Sequence, residues 1–547
     1  MHNCNSLPDP ILVNVCEHYE PFPARLSLEQ LTLRDRLLSK YVGPNPNDDL
    51  LGKQRLSINA GVTSLLEDKN FLLADGMGMG KTAQAKVIAE LLLSAGKIDR
   101  VIVVPAPGGS ESWSDFPCST KTVNEFLLGC AKYDKRTLAI VDELHRFKGS
   151  DSIAGTFLST YGDPTKRIAC HCPILGMSGT LVDKQEEMAG YTRLFGLDKV
   201  LNGRGNIAAK SPSKEILDEL HARGQLAMRS LEYPHFGLST SKFDVPLADL
   251  DDMMAKSQYD PTVFTYALCL ERYYLQNHLR QDIVASLDSD RVPVVLTSQI
   301  NIPVEDVPVA EYIASLVESV GGTPVFLDEH PINDPIAGLH VPKPVLFGTM
   351  QSLGTGSNLQ DTIGAYPRDL LVTGISFGVN DIIQACYRVL RPNSLSVPSI
   401  VLPISDHPVH KFAFGCIAKK LDEHPNTDAT FSGICDFMSG YAPLSSTLRE
   451  SSLLFLKAAP VLTAPLRAMF VKCAGLYPTI RGNRRVFKAS DLGIPNYKDL
   501  CLDKYRSGGF SSVFGMDERS DHFWISLYKS EQFNSAWNIY VQSLFKE

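Results

Sequence analysis

From about Leu51 onward the chain alternates short apolar runs with amphipathic stretches. Phe71–Ala74, Val101–Val104, Thr137–Val141 and Ile174–Met177 are apolar and bounded by Gly, Pro or charge, which predicts buried strands. Between the first two, Thr82–Ala95 places Val87, Ile88, Leu91 and Leu92 on one helical face, and Gly96 supplies a stop. Strand, Gly-rich turn, helix and strand in that order form a βαβ unit, so the sheet should be parallel. A second set repeats the architecture: Arg291–Ser298, Pro324–Leu327, Val345–Thr349, Leu370–Gly374 and Ser399–Pro403 read as strands, with helices at Val309–Val320 and Asn380–Leu390. Asp251–Leu287, between the sets, reads as largely helical. Ahead of everything, one helix-like stretch, Ser27–Tyr41, sits in a segment rich in Pro, Asn and Asp. The expected class is α/β: two parallel-sheet lobes and a mostly helical C-terminal region. The expected boundaries are an N-terminal extension at 1–50, a first lobe at 51–235, a helical linker and second lobe at 236–415, and an accessory region at 416–547.

Composition narrows the class without naming it. With 44% hydrophobic and 21% charged residues over 547 positions, the chain is an ordinary multi-domain globular protein. No run approaches the ~18 apolar residues of a membrane span. The N-terminus lacks the basic and apolar regions of a secretory signal. The net charge of −8 excludes a global basic footprint for coating nucleic acid. The 12 cysteines are scattered, and Cys170-His171-Cys172 has the wrong spacing for a zinc knuckle. Reduced, mostly buried thiols in an intracellular protein follow; nucleus, host cell and virion are not distinguished.

Chemistry concentrates in two motifs. LLADGMGMGKTAQ, residues 72–84, carries Gly76, Gly78 and Gly80, which let backbone N–H groups turn toward an anion. Lys81 can reach β- and γ-phosphates, Thr82 can hold Mg²⁺, and the helix that follows aims its dipole at the same point. Asp75 stands where the strict phosphate-loop pattern has its first glycine; Met77 and Met79 fill the spaces between glycines. The second motif, TLAIVDELHRFKG, ends a strand in Asp142-Glu143 and so delivers two carboxylates to the carboxyl edge of the sheet, where ligands bind in open α/β folds. Asp142 fits the metal role and Glu143 that of orienting or deprotonating the attacking water.

On these residues the chain resembles a superfamily-two helicase-type ATPase, and within it most closely the Swi/Snf group of DNA translocases. LADGMGMGKTAQ is similar to that group's ATP motif, Asp75 included; VIVVPAPGGSESWSDF places Pro105 and Trp113 as the next motif does; DELHRFKG and SGTLVDKQEE follow, with Leu181 where the family has Pro. Gln54 stands where the family places an adenine-reading glutamine. MQSLGTGSNLQ, with Gly356, looks like the Gly-rich loop that couples ATP to nucleic acid, and IIQACYRVLRP looks like the arginine-finger helix, with Gln384, Arg388 and Arg391 matching and Tyr387 replacing the usual Gly. The resemblance covers roughly residues 50–405 and implies two RecA-like lobes with ATP and Mg²⁺ between them. An arginine from the opposing lobe would stabilise charge on the transferring phosphoryl group. Ser178, Thr180, Thr349, Thr355 and Ser357 are the expected phosphate contacts to nucleic acid, a grip that positions without reading sequence. Trp113 is expected to pack in the core. His145 either couples the ATP site to the second lobe or is a hydrogen-bonded structural residue.

The reading that follows is an ATP-dependent nucleic-acid translocase or helicase, with duplex DNA favoured over RNA. An RNA-dependent ATPase and a degenerate ATPase serving as an assembly subunit are the alternatives. The compact lobes, without large insertions, lean toward a virus- or microbe-type enzyme. Arg481, Arg484, Arg485 and Lys488, with Tyr477 and Phe487, form a basic-aromatic cluster that reads as a solvated loop before it reads as a nucleic-acid grip. Protein partners would engage the C-terminal region.

Overall fold

The computed structural model of the chain describes residues 14–19, 21, 26–42, 48–106, 109–147, 171–179, 189–197, 213–233, 235–246, 249–250, 253, 263–298, 304, 306–327, 341–350, 359–374, 379–392, 394–405, 407, 410, 414, 433–434, 436–438, 479–481, 484–488, 514–517 and 522–526. The chain divides into two compact units. The first holds 1–239, 280–402 and 420–435; the second holds 240–279, 403–419 and 436–547.

The first lobe runs β1 (Asn14–Tyr19), α1 (Leu28–Val42), α2 (Asp48–Leu66), β2 (Phe71–Leu73), α3 (Lys81–Ser94), β3 (Arg100–Val104), β4 (Ser119–Thr120), α4 (Val123–Gly129), β5 (Thr137–Val141), β6 (Ile174–Met177), α5 (Ala189–Leu194), α6 (Ser213–Ala222) and β7 (Leu226–Glu232). Its sheet order is β1-β7-β2-β6-β5-β3-β4. All pairs are parallel except β1 with β7, which is antiparallel and carries an irregularity between Glu17 and Tyr19.

Alternation along these strands explains why the sheet is covered twice. Leu72, Ile102, Val104, Ala139 and Val141 point to one side and pack with Phe126, Tyr191, Ile216 and Leu220. Phe71, Leu73, Val101, Val103, Leu138 and Ile140 point to the other and pack with Leu38, Ile58, Val62, Ile88 and Leu92. Strands apolar on both faces require helices on both faces, which is the condition for a parallel sheet. Trp113 is 1% exposed and belongs to the second cluster, as the core assignment expects.

The second lobe contains β9 (Val292–Thr297), α9 (Val309–Ser319), β10 (Thr323–Phe326), β11 (Pro344–Thr349), β12 (Arg368–Val372), α10 (Val379–Val389) and β13 (Ser399–Ser405), preceded by β8 (Gly237–Phe243) and the helices α7 (Val263–Asn277) and α8 (Leu279–Asp288). Its order is β10-β11-β9-β12-β13-β8, parallel from β10 through β13. Two parallel sheets wrapped by helices are the two RecA-like lobes.

Three expectations change. Residues 1–50 are not merely an extension, because β1 extends the first sheet and α1 packs its Leu37 and Leu38 into that lobe's core. Beyond 416, the mostly helical reading is corrected at four described segments, where β14 (Thr479–Arg481), β15 (Arg484–Lys488), β16 (Phe514–Asp517) and β17 (His522–Ser526) form an antiparallel sheet in the order β14-β15-β17-β16. The basic cluster is correspondingly a hairpin and not a loop, with Arg481 and Arg484 in register. Among the described residues no helix is long and apolar enough to cross a membrane.

Within the second unit, Phe243, Tyr274, His278, His410 and Phe414 form an aromatic cluster with ring centroids 5.4 to 6.4 Å apart. His410 is 2% exposed, and its Nδ1 accepts the Ser405 N–H at 3.0 Å. Burial, helped by neighbouring His407, pushes the His410 imidazole down to about 3, and burial alone pushes His407 down to about 4. A base held neutral in the folded state favours folding above its unfolded pKa of about 6.5, and the advantage is lost as pH falls toward the folded value. The midpoint of thermal unfolding of this unit is therefore expected to be flat above pH 7 and to fall steadily between pH 6.5 and 4. His410→Phe should flatten that slope; an unchanged slope would remove the histidine pair as its origin.

Candidate nucleotide site

The phosphate loop follows from where β2 ends and α3 begins. Ala74–Gly80 leaves the sheet after Leu73, and Lys81 opens the helix with Gly80 as its N-cap at φ 74° and ψ 37°. Gly78 has φ 81°. Both positions lie in the left-handed region, where a side chain is strained. A Cβ on Gly80 would also come within 2.7 Å of Gln54 Nε2.

Behind the loop, Asp75 is fully buried. Its Oδ1 accepts Arg229 Nε at 3.2 Å and its Oδ2 accepts Arg229 Nη2 at 2.8 Å. Ser57 Oγ at 3.2 Å and Gln84 Nε2 at 3.3 Å also reach Oδ2. The Gly76 N–H donates to the Arg229 carbonyl, and the Met79 carbonyl accepts Gln54 and Gln84. Asp75, Gly76 and Met79, expected as nucleotide contacts, are buried and anchor the loop to β7 and α2, and the cleft lining does not include them.

In front of the loop lies a cleft of about 380 Å³. The first lobe lines it with Gln54, Met77, Gly78, Gly80, Lys81, Thr82, Asp142 and Glu143, and the second with Gln360, Arg388, Arg391 and Pro392. Lys81 Nζ donates to the carbonyls of Asp75 at 2.9 Å and Gly76 at 3.1 Å. Burial pulls the Lys81 ammonium below its ordinary value, against the opposing charges of Glu143, Asp142 and Asp75.

At the end of β5 the two carboxylates differ. Burial and then the neighbouring Glu143 charge hold the Asp142 carboxyl above the usual range. Burial also raises Glu143, but the hydrogen bond and charge of His145, with Lys81 and Arg388, outweigh it and keep Glu143 low. Two adjacent carboxyl groups pushed in opposite directions can serve as distinct ligand and base. Glu143 adopts φ 53°, a left-handed backbone that a non-glycine residue keeps only where its surroundings impose it. His145 Nδ1 lies 3.1 Å from Glu143 Oε2 and 3.0 Å from Ser178 Oγ. Ser178 is fully buried there, so it is a partner of His145 and not a surface contact for a nucleic-acid strand, which corrects that expectation.

On the opposing wall Arg388 is carried by α10, and Arg391 follows two residues after the helix ends at Val389. Burial, then the charge of Arg391, lowers Arg388 to about 9, with Glu143 opposing; burial lowers Arg391 as well. Guanidinium groups keep their charge at neutral pH, so both arginines present cations to the cleft. Gln384 is 8% exposed on the same helix and does not line the cleft. Tyr387 packs edge-on against Tyr233 with centroids 6.0 Å apart, which ties α10 to the residue following β7. Thr349 closes β11 and is buried. Thr180, Thr355, Gly356 and Ser357 lie outside the described residues.

Sequence reading missed part of the wall. Tyr41, Val42 and Leu50 line the cleft from the end of α1 and the start of α2. The readable signal was an amphipathic stretch ending in an aromatic residue shortly before Gln54. Gln360 and Pro392 also line the cleft; each is the last residue of a motif read in the sequence, MQSLGTGSNLQ and IIQACYRVLRP, but was not singled out there.

The site suits ATP with Mg²⁺. Gln54 is 1% exposed with its buried Oε1 lacking a hydrogen-bond partner, and it lines the cleft together with apolar Leu50 and aromatic Tyr41. Thr82 and Asp142 are the oxygen donors that a hard divalent cation prefers. Among the described residues no cluster of three or more His, Cys, Asp or Glu forms a separate metal site.

Two lobes face one cleft, with a lysine and two carboxylates on one wall and two arginines on the other, an arrangement of charge that would suit a triphosphate. In motifs and lobes the chain resembles superfamily-two helicase-type ATPases. No family model matches the chain, and no curated protein matches it in sequence. Among solved structures it is similar to the DUF1998 helicase MrfA bound to DNA, at 10% identity and a TM-score of 0.42, over 97% of this chain and 67% of that one. It is also similar to the Sulfolobus solfataricus SWI2/SNF2 ATPase core in complex with dsDNA, at 10% identity and a TM-score of 0.27, over 81% of this chain and 100% of that one.

Proposed function

We propose that the chain is an intracellular ATP-dependent nucleic-acid translocase or helicase that hydrolyses ATP to ADP and phosphate and acts on duplex DNA. The observation that carries this reading is the single cleft lined by Lys81, Asp142 and Glu143 from one lobe and by Arg388 and Arg391 from the other.

In this reading the base enters beside Tyr41 and Leu50, and Gln54 Oε1 takes a hydrogen bond from the adenine amine. The Gly78–Gly80 backbone and Lys81 hold the β- and γ-phosphates. Thr82 and Asp142 would hold Mg²⁺, which when bound neutralises phosphate charge. Glu143, kept ionised by His145 and Lys81, orients and deprotonates the attacking water. Arg388 and Arg391 stabilise the charge that develops on the transferring phosphoryl group. Because the arginines and the lysine belong to different lobes, ATP binding energy favours lobe closure and hydrolysis releases it. A chain of net charge −8 fits a grip made through hydroxyls and backbone amides better than one made through a basic groove.

The test is ATP turnover by purified protein alone, with duplex DNA, with single-stranded DNA and with RNA. Stimulation by duplex DNA is expected. Stimulation by RNA alone would move the substrate to RNA, and no turnover by folded protein under any condition would leave a non-catalytic assembly role. Lys81→Ala removes the charge facing the phosphates and is expected to weaken ATP binding by about tenfold to a hundredfold, in line with a charge-assisted hydrogen bond of ~1.5–3 kcal/mol. Calorimetry on the folded variant reads this directly, and equal affinity for both proteins would place the phosphates elsewhere.

A further inference from the structure

The base-side wall of the cleft is held from outside it. Tyr41 and Val42, which line the cleft, are the last two residues of α1. The Tyr41 hydroxyl donates to the Glu90 carboxylate on α3. Lys40 Nζ closes the triangle, donating to the Tyr41 oxygen at 2.9 Å and to Glu90 Oε1 at 3.2 Å. Lys40 is more than half exposed, so its ion pair adds little, and the phenol–carboxylate bond carries the clasp. Burial, then the Glu90 carboxylate, raises the Tyr41 phenol against the opposing effect of Lys40, so it keeps the proton it donates. One turn earlier on α3, the buried Lys86 places its Nζ 5.1 Å from the centre of the same ring and 5.8 Å from that of Trp113, and pairs with Asp115. Phe116 packs against the Tyr41 ring at a steep angle, with centroids 6.4 Å apart. Tyr41 is thus fixed both at its hydroxyl and on its ring.

The helix that holds Tyr41 also carries the phosphate end of the cleft. Lys81 and Thr82 open α3, and Glu90 stands two and a half turns further along it, about 13 Å up the axis. An α-helix of this length is a stiff spacer, so tying Tyr41 to Glu90 sets the separation of the two ends of the cleft on one element. The cleft lining includes neither Glu90 nor Lys86. We infer that Glu90, supported by Lys86, is a positioning residue for nucleotide binding: it holds Tyr41 so that the wall meets the base of a nucleotide whose phosphates sit at Lys81. The inference rests on the nucleotide reading of this cleft and adds to it residues that govern base recognition without touching the base.

Equilibrium binding of ATP and of inorganic tripolyphosphate to the full chain separates the two ends of the cleft, since tripolyphosphate carries the phosphates and no base. Glu90→Ala is expected to weaken ATP by about threefold to tenfold, the loss of one polar contact, and to leave tripolyphosphate unchanged. Tyr41→Phe keeps the ring and removes only the hydroxyl. It should match Glu90→Ala, and the double variant should lose no more than either alone. Glu90→Gln keeps an acceptor for the phenol and should recover most of the ATP affinity. Tyr41→Phe carries the test if Glu90→Ala fails to fold. Equal weakening of ATP and tripolyphosphate would overturn the inference, because it would mean general damage to α3. Unchanged ATP binding in both single variants, or fully additive losses in the double variant, would overturn it too. Failure of the unaltered chain to bind either ligand would overturn the nucleotide site itself, which is a separate result.

Discussion

Replacing Arg388 with alanine is expected to lower ATP turnover by about a thousandfold or more while ATP still binds. The magnitude is that of removing a cation from the developing charge of a phosphoryl transfer, ~10³ to 10⁵ in rate. The geometry gives the reason. Arg388 is 4% exposed and lines the same cleft as Glu143, whose charge opposes the lowering that burial and Arg391 impose on it. It therefore sits within electrostatic reach of the residue assigned to the attacking water, at the seam between the lobes. Arg391 lies close enough to lower Arg388 by repulsion, so the two guanidinium groups crowd one region. Such crowding is tolerable when a polyanion lies between them. Single-turnover hydrolysis and nucleotide binding, measured together, separate the outcomes. Loss of turnover with binding kept within about threefold supports a role in the transition state. Undiminished turnover in Arg388→Ala would mean that the second lobe does not complete the active site.

The second large effect concerns stability. Arg229→Met is expected to cost about 3–5 kcal/mol, because it leaves the Asp75 carboxylate buried and unpaired. Both side chains of this pair are fully buried, and the guanidinium bonds both carboxylate oxygens while also reaching Ser57 and the Lys53 carbonyl. At ~2–4 °C per kcal/mol for a domain of this size, the first-lobe melting midpoint should fall by about 6 °C or more. Arg229→Lys should recover little, since a single ammonium cannot replace a two-pronged contact. Nucleotide affinity should fall in parallel, because Asp75 leads directly into the phosphate loop. A melting midpoint within a degree of the parent would show that the pair is energetically idle.

Arg229 also explains part of what could not be read in the sequence. Strands β2, β3, β5 and β6 are continuous apolar runs and were legible as such. Strand β7 is equally buried, but a charged residue stands in the middle of LAMRSLE and breaks the run. Its partner Asp75 lies 154 positions away, and nothing local announces the pairing. Strand β1 failed for a similar reason, being polar and paired with β7 more than two hundred residues on. In the C-terminal stretch, Gly482-Asn483 between Arg481 and Arg484 was a hairpin signal, but the charge run around it reads first as a solvated loop. The phosphate loop and the DELH box were legible because their chemistry needs fixed residues at fixed spacing. The base-side wall of Tyr41, Val42 and Leu50 was not, because a shape-complementary surface can be built from many apolar residues. Asp75 misled for an opposite reason: it sits inside the motif but faces away from the cleft. Ser178 likewise lies in a recognisable motif and spends its hydroxyl on His145.

The borders of the first sheet have one more meaning. A strand as buried as β7 would, if left outermost, present unpaired amides that invite a strand from another molecule. Strand β1 covers it with a ribbon whose sequence includes Glu17 and His18 and whose pairing is interrupted before Tyr19. At the opposite margin β4 is only two residues long and exposed. Charge, a kink in the ladder and brevity are ways of making a sheet margin a poor template for self-association. Strand β1 thus acts as a safeguard against clumping.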